Sequence, residues 1–94
     1  MTTSELEQHL IDTLREVQEL SGAAPTAIDR RLCPIKDLEG FDSVRGEETT
    51  TLLGIKLNRE FRGDQDDVNL FVSKDGRRAL KVHEIVDRLS ALIK

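Results

Sequence analysis

The sequence predicts an all-α fold with three longer helices and one short element between the second and the last. Two stretches, residues 4–20 and 81–92, carry apolar residues at spacings of three and four, as helices that bury one face do. The core must be aliphatic, because the chain has three Phe and no Trp or Tyr. With 94 residues, we expect residues 1–94 to form a single domain.

The first helix is predicted over residues 4–20. Ser4 followed by Glu7 has the pattern of a capping box, and Ser21 and Gly22 provide the stop. The apolar stripe consists of Leu6, Leu10, Ile11, Leu14, Val17 and Leu20. The connection that follows, residues 22–41, is long for a compact domain, so we expect its own apolar side chains to hold it down. These are Ile28, Leu32, Ile35 and Leu38.

A second long helix is predicted over residues 43–59, with Asp42 or Ser43 as its N-cap. The residues that follow at helical spacing are Val44, Glu48, Leu52, Ile55 and Arg59, and Leu53 and Leu57 widen the apolar side.

Local preferences oppose this second helix. Gly46 and Gly54 disfavour a helix, and the β-branched threonines 49–51 favour a strand. Leu53, Ile55 and Leu57 also alternate as in a strand. Tertiary packing must therefore hold the helix, and we expect it to be the mobile one.

The segment before the last helix allows two structures. Asp75-Gly76 is typical of tight turns, so a small hairpin between Leu70 and Val82 competes with a one-turn helix and a loop. The last helix has no Ser, Thr, Asp or Asn cap at its start. Its stripe consists of Val82, Ile85, Val86, Leu89, Leu92 and Ile93.

Charge and hydropathy exclude several classes of protein. The net charge of -4 argues against nucleic-acid binding, which needs a concentrated basic surface. No apolar run approaches the roughly 18 residues of a membrane span, and the N-terminus lacks a signal-peptide pattern. We expect a cytoplasmic protein that does not insert into membranes.

Catalysis by the chain's own side chains is not expected. His9 and His83 have no evident nucleophile and orienting group, and Phe41 and Arg45 stand where a nucleophile elbow around Ser43 would need glycines. The acidic turn with Asp64, Asp66 and Asp67 resembles a calcium loop, but Val68 and Asn69 break the pattern. Cys33 is the one cysteine, with no partner for a disulfide or a zinc site. We therefore expect neither an enzyme nor a metal protein.

Ser43 suits an attached phosphate for a physical reason. At a helix start, unpaired N–H groups and the positive end of the helix dipole favour negative charge. The plain alternative is that Asp42 and Ser43 only cap the helix.

The residues around Ser43 resemble the prosthetic-group attachment region of the acyl carrier protein family, whose signature is Asp-Ser followed by an apolar residue at the start of the second helix. The matching residues are Glu39, Gly40, Phe41, Asp42, Ser43 and Val44, followed by Glu48, Leu53 and Leu57. The order of elements along nearly the whole chain resembles the family as well.

The resemblance implies an acyl-carrier-protein-like four-helix bundle and a single acyl-carrier domain. Ser43 would carry 4'-phosphopantetheine, donated by coenzyme A through a phosphopantetheinyl transferase, and Asp42 and Val44 would be the adjacent motif residues. The arm would hold acyl groups as thioesters for the acyl-loading and acyl-transferring enzymes of fatty-acid, polyketide or related biosynthesis. The carrier would be a monomer.

Partner recognition would use Glu48, together with Arg45 and Glu47, where the chain departs from the family. Family members usually have an apolar residue in place of Glu47, and their second helix is more acidic. This suggests a dedicated carrier with its own partners. Two alternatives stay open: a protein-interaction module in which Ser43 is only a cap, and a small calcium-binding domain.

Overall fold

The computed structural model describes residues 2–22, 27–58, 69–73 and 76–92 and is mostly helical. Four helices follow in the order α1 Thr3–Leu20, α2 Pro34–Asp37, α3 Ser43–Leu57 and α4 Val82–Leu92. Within the described residues there is no strand, so the all-α prediction is confirmed. The short helix is second in the chain, whereas the sequence predicted a short third element. No helix in this part of the chain is long and apolar enough to cross a membrane.

Helix α1 begins one residue earlier than predicted, and its N-cap lies two residues earlier. Thr2 is the N-cap: its hydroxyl accepts from the Glu5 amide at 3.1 Å, and its own amide donates to the Glu5 carboxylate at 3.1 Å. The bond from that amide lowers the pKa of Glu5. The capping box predicted at Ser4 and Glu7 is therefore wrong, because Thr2 and Glu5 offer the same pattern one half-turn upstream.

Helix α1 forms the base of the core, since it packs against both α3 and α4. Leu6, Leu10 and Leu14 are fully buried, as the apolar stripe predicted. Leu20 departs from the stripe and is 81% exposed. Gly22 follows with a φ of 79°, a left-handed turn that glycine adopts without strain.

The long connection between α1 and α3 packs against the core through its own apolar side chains, as predicted. Its backbone also accepts hydrogen bonds from the first residues of α4. Ile28 and Leu38 are buried in the core, while Leu32 packs against it partly exposed. The carbonyl of Leu32 accepts from the Val82 amide at 2.8 Å, and that of Arg30 accepts from the His83 amide at 3.0 Å. These bonds replace the cap that the sequence of α4 lacks. The prediction placed the start of α4 at Lys81, one residue early.

Helix α3 forms, and it buries only part of the predicted apolar side: Leu53 is fully buried, and Leu57 packs partly exposed against the core. Its buried residues are Gly46, Thr49, Thr50, Leu53 and Gly54. Val44 is 60% exposed and Ile55 is 72% exposed, so these two residues of the predicted apolar side face outward. The small buried residues let α3 pack closely against its neighbours, and the larger side chains of Val44 and Ile55 stay exposed.

The threonine run lies within α3, and each of its hydroxyls bonds to a carbonyl four residues back. The hydroxyls of Thr49, Thr50 and Thr51 donate to the carbonyls of Arg45, Gly46 and Glu47 at 2.7, 2.8 and 3.2 Å. The helix ends at Leu57, with Asn58 as a left-handed C-cap. The predicted end at Arg59 lies outside the described residues.

Of the two structures left open between Leu70 and Val82, the hairpin is present only as one antiparallel bridge between Val72 and Ala79. Two backbone bonds flank it: the Leu80 amide donates to the Phe71 carbonyl at 2.9 Å, and the Ser73 amide donates to the Arg78 carbonyl at 2.7 Å. The described residues therefore contain neither the alternative one-turn helix nor a true strand here. The predicted acidic turn, residues 62–67, lies outside the described residues.

Candidate functional site

The start of α3 is built by Asp42. Its carboxylate accepts from the Arg45 amide at 2.9 Å, which makes Asp42 the N-cap, and its carbonyl accepts from the Gly46 amide at 2.9 Å. Ser43 is the first helical residue and is exposed. Of the two predicted caps, Asp42 takes the role and leaves the Ser43 hydroxyl without a capping bond.

The backbone of Ser43 is held by Asn69, a residue that sequence reasoning missed. The Asn69 side-chain amide donates to the Ser43 carbonyl at 2.9 Å, and its side-chain oxygen accepts from the Phe71 amide at 3.0 Å. Arg88 on α4 donates to the carbonyls of Asn69 and Val72. A chain of bonds thus connects α4, through residues 69–72, to the first residue of α3.

Two further contacts fix residues 69–72 against α3. The Leu70 amide donates to the Thr50 hydroxyl at 3.1 Å, and a β-carbon on Gly46 would lie 3.3 Å from that of Phe71. The rings of Phe41 and Phe71 meet edge to face, with centroids 5.1 Å apart. The residues just before Ser43 and those around Asn69 therefore belong to one packed unit.

The outward face of α3 combines apolar and acidic side chains. Val44 and Ile55 are exposed, and Glu47 and Glu48 lie exposed between them. Arg45 is half-buried instead, and its guanidinium would lie 3.4 Å from a β-carbon on Gly40. Of the three residues predicted for partner recognition, Glu47 and Glu48 are exposed to solvent and Arg45 is partly buried.

A cleft of about 380 Å³ opens beside Ser43. Its apolar lining comes from the following side chains: Ile35, Phe41, Val72 and Ala79. Three basic residues, Lys36, Arg77 and Arg78, line it as well. The sequence signal that could have pointed here is the Arg77-Arg78 pair, which follows a turn glycine in an acidic chain.

The described residues give no support to catalysis by the histidines or to a metal site. His9 is exposed, while His83 is half-buried in a separate small cleft with Glu7 and Asp87. In the described part of the chain, no group of three His, Cys, Asp or Glu residues could hold a metal ion. Asp64, Asp66 and Asp67 of the predicted calcium loop lie outside it. Cys33 is buried at the start of α2.

Comparison with known proteins identifies no relative. The chain matches no protein-family model, no curated protein and no solved structure at a significant level.

Proposed function

We propose that this chain is a discrete acyl carrier protein that is modified at Ser43. The observation that supports it most is the exposed Ser43 at the first position of an Asp42-capped helix of 15 residues, next to an open cleft. The proposal extends to the fold, which we infer to be an acyl-carrier-protein-like bundle whose short helix precedes α3. In this proposal the protein itself catalyses no reaction.

The arrangement around Ser43 fits the attachment of 4'-phosphopantetheine from coenzyme A by a phosphopantetheinyl transferase. The Ser43 hydroxyl oxygen forms a bond to the β-phosphorus of coenzyme A, the anhydride bond breaks, adenosine 3',5'-bisphosphate leaves, and the serine proton passes to a base of the transferase. Because Asp42 already caps α3, the Ser43 hydroxyl is available. The first turn of α3 then faces the new phosphodiester with the positive end of its dipole. The arm would supply a thiol that carries acyl groups as thioesters.

The outward face of α3 supports contact with enzymes that load and transfer the acyl group. Glu47 and Glu48 give it negative charge that attracts a basic partner surface, and exposed Val44 offers an apolar contact next to Ser43. Arg45 is half-buried, so less of its side chain is accessible to a partner. We place the pathway in fatty-acid, polyketide or related biosynthesis and the protein in the cytoplasm.

The test is the intact mass after incubation with coenzyme A, Mg²⁺ and a broad-specificity phosphopantetheinyl transferase. We expect a gain equal to one phosphopantetheine group. The gain is lost in Ser43→Ala and kept in Ser21→Ala, whose serine is exposed at the end of α1. An unchanged mass, alongside a known carrier that is modified, would refute the proposal.

The second candidate is a protein-interaction module in which Ser43 only lies at a helix start. The exposed pair Val44 and Ile55 on α3 favours it, because exposed apolar side chains along one helix face suit a partner surface. This candidate predicts no mass gain. It also predicts that Ile55→Ser would weaken binding to a partner, whereas Ser43→Ala would leave binding intact.

A further inference from the structure

The cleft beside Ser43 concentrates positive charge in an acidic chain. The net charge of the protein is -4, yet Lys36, Arg77 and Arg78 all line this one cleft. Asp42 is the one acidic residue among the described lining residues, and its carboxylate already accepts from the Arg45 amide. Three basic residues and one acidic residue thus line this cleft, and an anion is favoured by that excess of basic side chains.

The basic residues come from two different parts of the fold. Lys36 belongs to α2, whereas Arg77 and Arg78 precede the bridge residue Ala79, and all three basic residues are exposed. Arg78 forms an ion pair with Glu84 at 2.9 Å, so part of its charge is compensated. Because Arg78 also bonds to Glu84 at the start of α4, the experiment keeps Arg78 and changes Lys36 and Arg77.

The remainder of the lining is apolar. Ile35 and Phe41 lie on the side of α2 and the loop before Ser43, and Val72 and Ala79 form the bridge. A ligand that suits this cleft has methylene groups for the apolar lining and one anionic group for the basic residues.

We propose that this cleft receives the acyl cargo carried on Ser43 and selects acyl groups that end in a carboxylate. The inference rests on the proposed carrier function. The same positive charge could also hold the phosphodiester of the arm. Two acyl groups of equal carbon number, one ending in a carboxylate and one in a methyl group, separate these two sources of an anion.

The experiment loads the protein at Ser43 with glutaryl-coenzyme A or with pentanoyl-coenzyme A, using the same transferase. Both acyl groups have five carbons, and only glutaryl ends in a carboxylate. Thermal unfolding of each loaded form is followed by circular dichroism at low salt. We expect the glutaryl form to unfold about 1–5 °C higher, as expected for an exposed ion pair in a domain of this size.

The matched variants are Lys36→Gln with Arg77→Gln for the cleft and Arg15→Gln for an exposed cation of α1 outside the described lining. The cleft variant should bring the two midpoints together, whereas Arg15→Gln should keep them apart. Molar salt should reduce the difference in the wild type, because it screens exposed charges.

A second measurement needs no variant. With ¹³C in the terminal carboxyl of the glutaryl group, NMR titration should give a lower pKa on the protein than in free glutaryl-coenzyme A, because nearby cations favour the carboxylate.

The outcomes are distinct. If neither coenzyme A derivative adds mass, the carrier function fails, and the inference fails with it. If both add mass but the midpoints coincide and the carboxyl pKa is unshifted, the selectivity is refuted while the carrier function stands. If the cleft variant lowers both midpoints equally and leaves the difference between them unchanged, Lys36 and Arg77 do not select the carboxylate, and the cargo inference is wrong.

Discussion

Gly46 and Asn69 are packed so closely that a β-carbon on Gly46 would lie 2.9 Å from the side-chain oxygen of Asn69. Real β-carbons essentially never approach another atom this closely. The missing side chain is therefore what lets Asn69 rest on α3 and donate to the Ser43 carbonyl. Gly46 has a low intrinsic helix propensity, yet the close packing beside Ser43 favours a glycine at this position.

We expect Gly46→Ala to lower the free energy of unfolding by about 1–3 kcal/mol, the usual cost of overpacking. Alanine is favoured over glycine in an exposed helix by about 1 kcal/mol, so the sign of the change separates the two effects. Urea unfolding measures it. Thr51→Ala, at an exposed position of α3, is the control and should change stability little. A more stable Gly46→Ala protein would contradict the close packing.

Asp42→Ala should destabilise α3 by about 1 kcal/mol, because the Arg45 amide loses its acceptor. Asp42→Asn keeps a capping oxygen and should retain most of the stability. Ser43→Ala should leave it nearly unchanged, since Asp42 still caps. Thermal unfolding of the three variants tests the assignment. Equal losses in Asp42→Ala and Ser43→Ala would show that both side chains cap.

Arg88→Met should cost about 1.5–3 kcal/mol, because it keeps the apolar stem and leaves the carbonyls of Asn69 and Val72 without their charged donor. Burial lowers the pKa of Arg88, yet a guanidinium stays protonated in proteins. Arg15→Met, on the exposed side of α1, is the matched control. If the two variants unfold at the same urea concentration, Arg88 does not hold residues 69–72.

Acid should weaken the start of α4 through Glu84. The bond from the Lys81 amide, and then the Arg78 side chain, hold the pKa of Glu84 below its ordinary value of 4.5. Since this pKa is lower in the folded protein, the stabilisation is complete above the ordinary value and is lost as the pH falls through the folded one. Glu84→Gln should flatten this acid limb of the unfolding midpoint, and Glu47→Gln, at an exposed site, should not. Identical limbs in wild type and Glu84→Gln would refute the assignment.

We expect amide exchange in α3 to be uneven. Protection should be strongest around Thr49, Thr50 and Leu53, which are buried, and weaker near exposed Ile55. Hydrogen exchange followed by NMR measures this residue by residue. Uniformly strong protection across α3 would contradict the expectation that this helix is the mobile one.

The amphipathic helices were predictable because large apolar residues recur at helical spacing in α1 and α4. On α3 the burial of Leu53 was predicted, but the burial of Gly46 and Gly54 was not, because period alone favours Val44 and Ile55. Close approach decides that face, and it depends on partners far away in the sequence. The exposed Ser43 followed from local signals, whereas its support by Asn69 crosses 26 positions of the chain.

Because the carbonyls of Arg30 and Leu32 accept from the first amides of α4, this helix depends on a distant part of the chain. An isolated helix of 11 residues is marginal in water, and Lys81, which precedes α4, has no side-chain oxygen to cap it. A C-terminal fragment on its own would therefore be mostly unstructured and would become helical only when the N-terminal fragment supplies those carbonyls. Fragment complementation should restore the fold, and circular permutants opened between Arg30 and Leu32 should fold poorly.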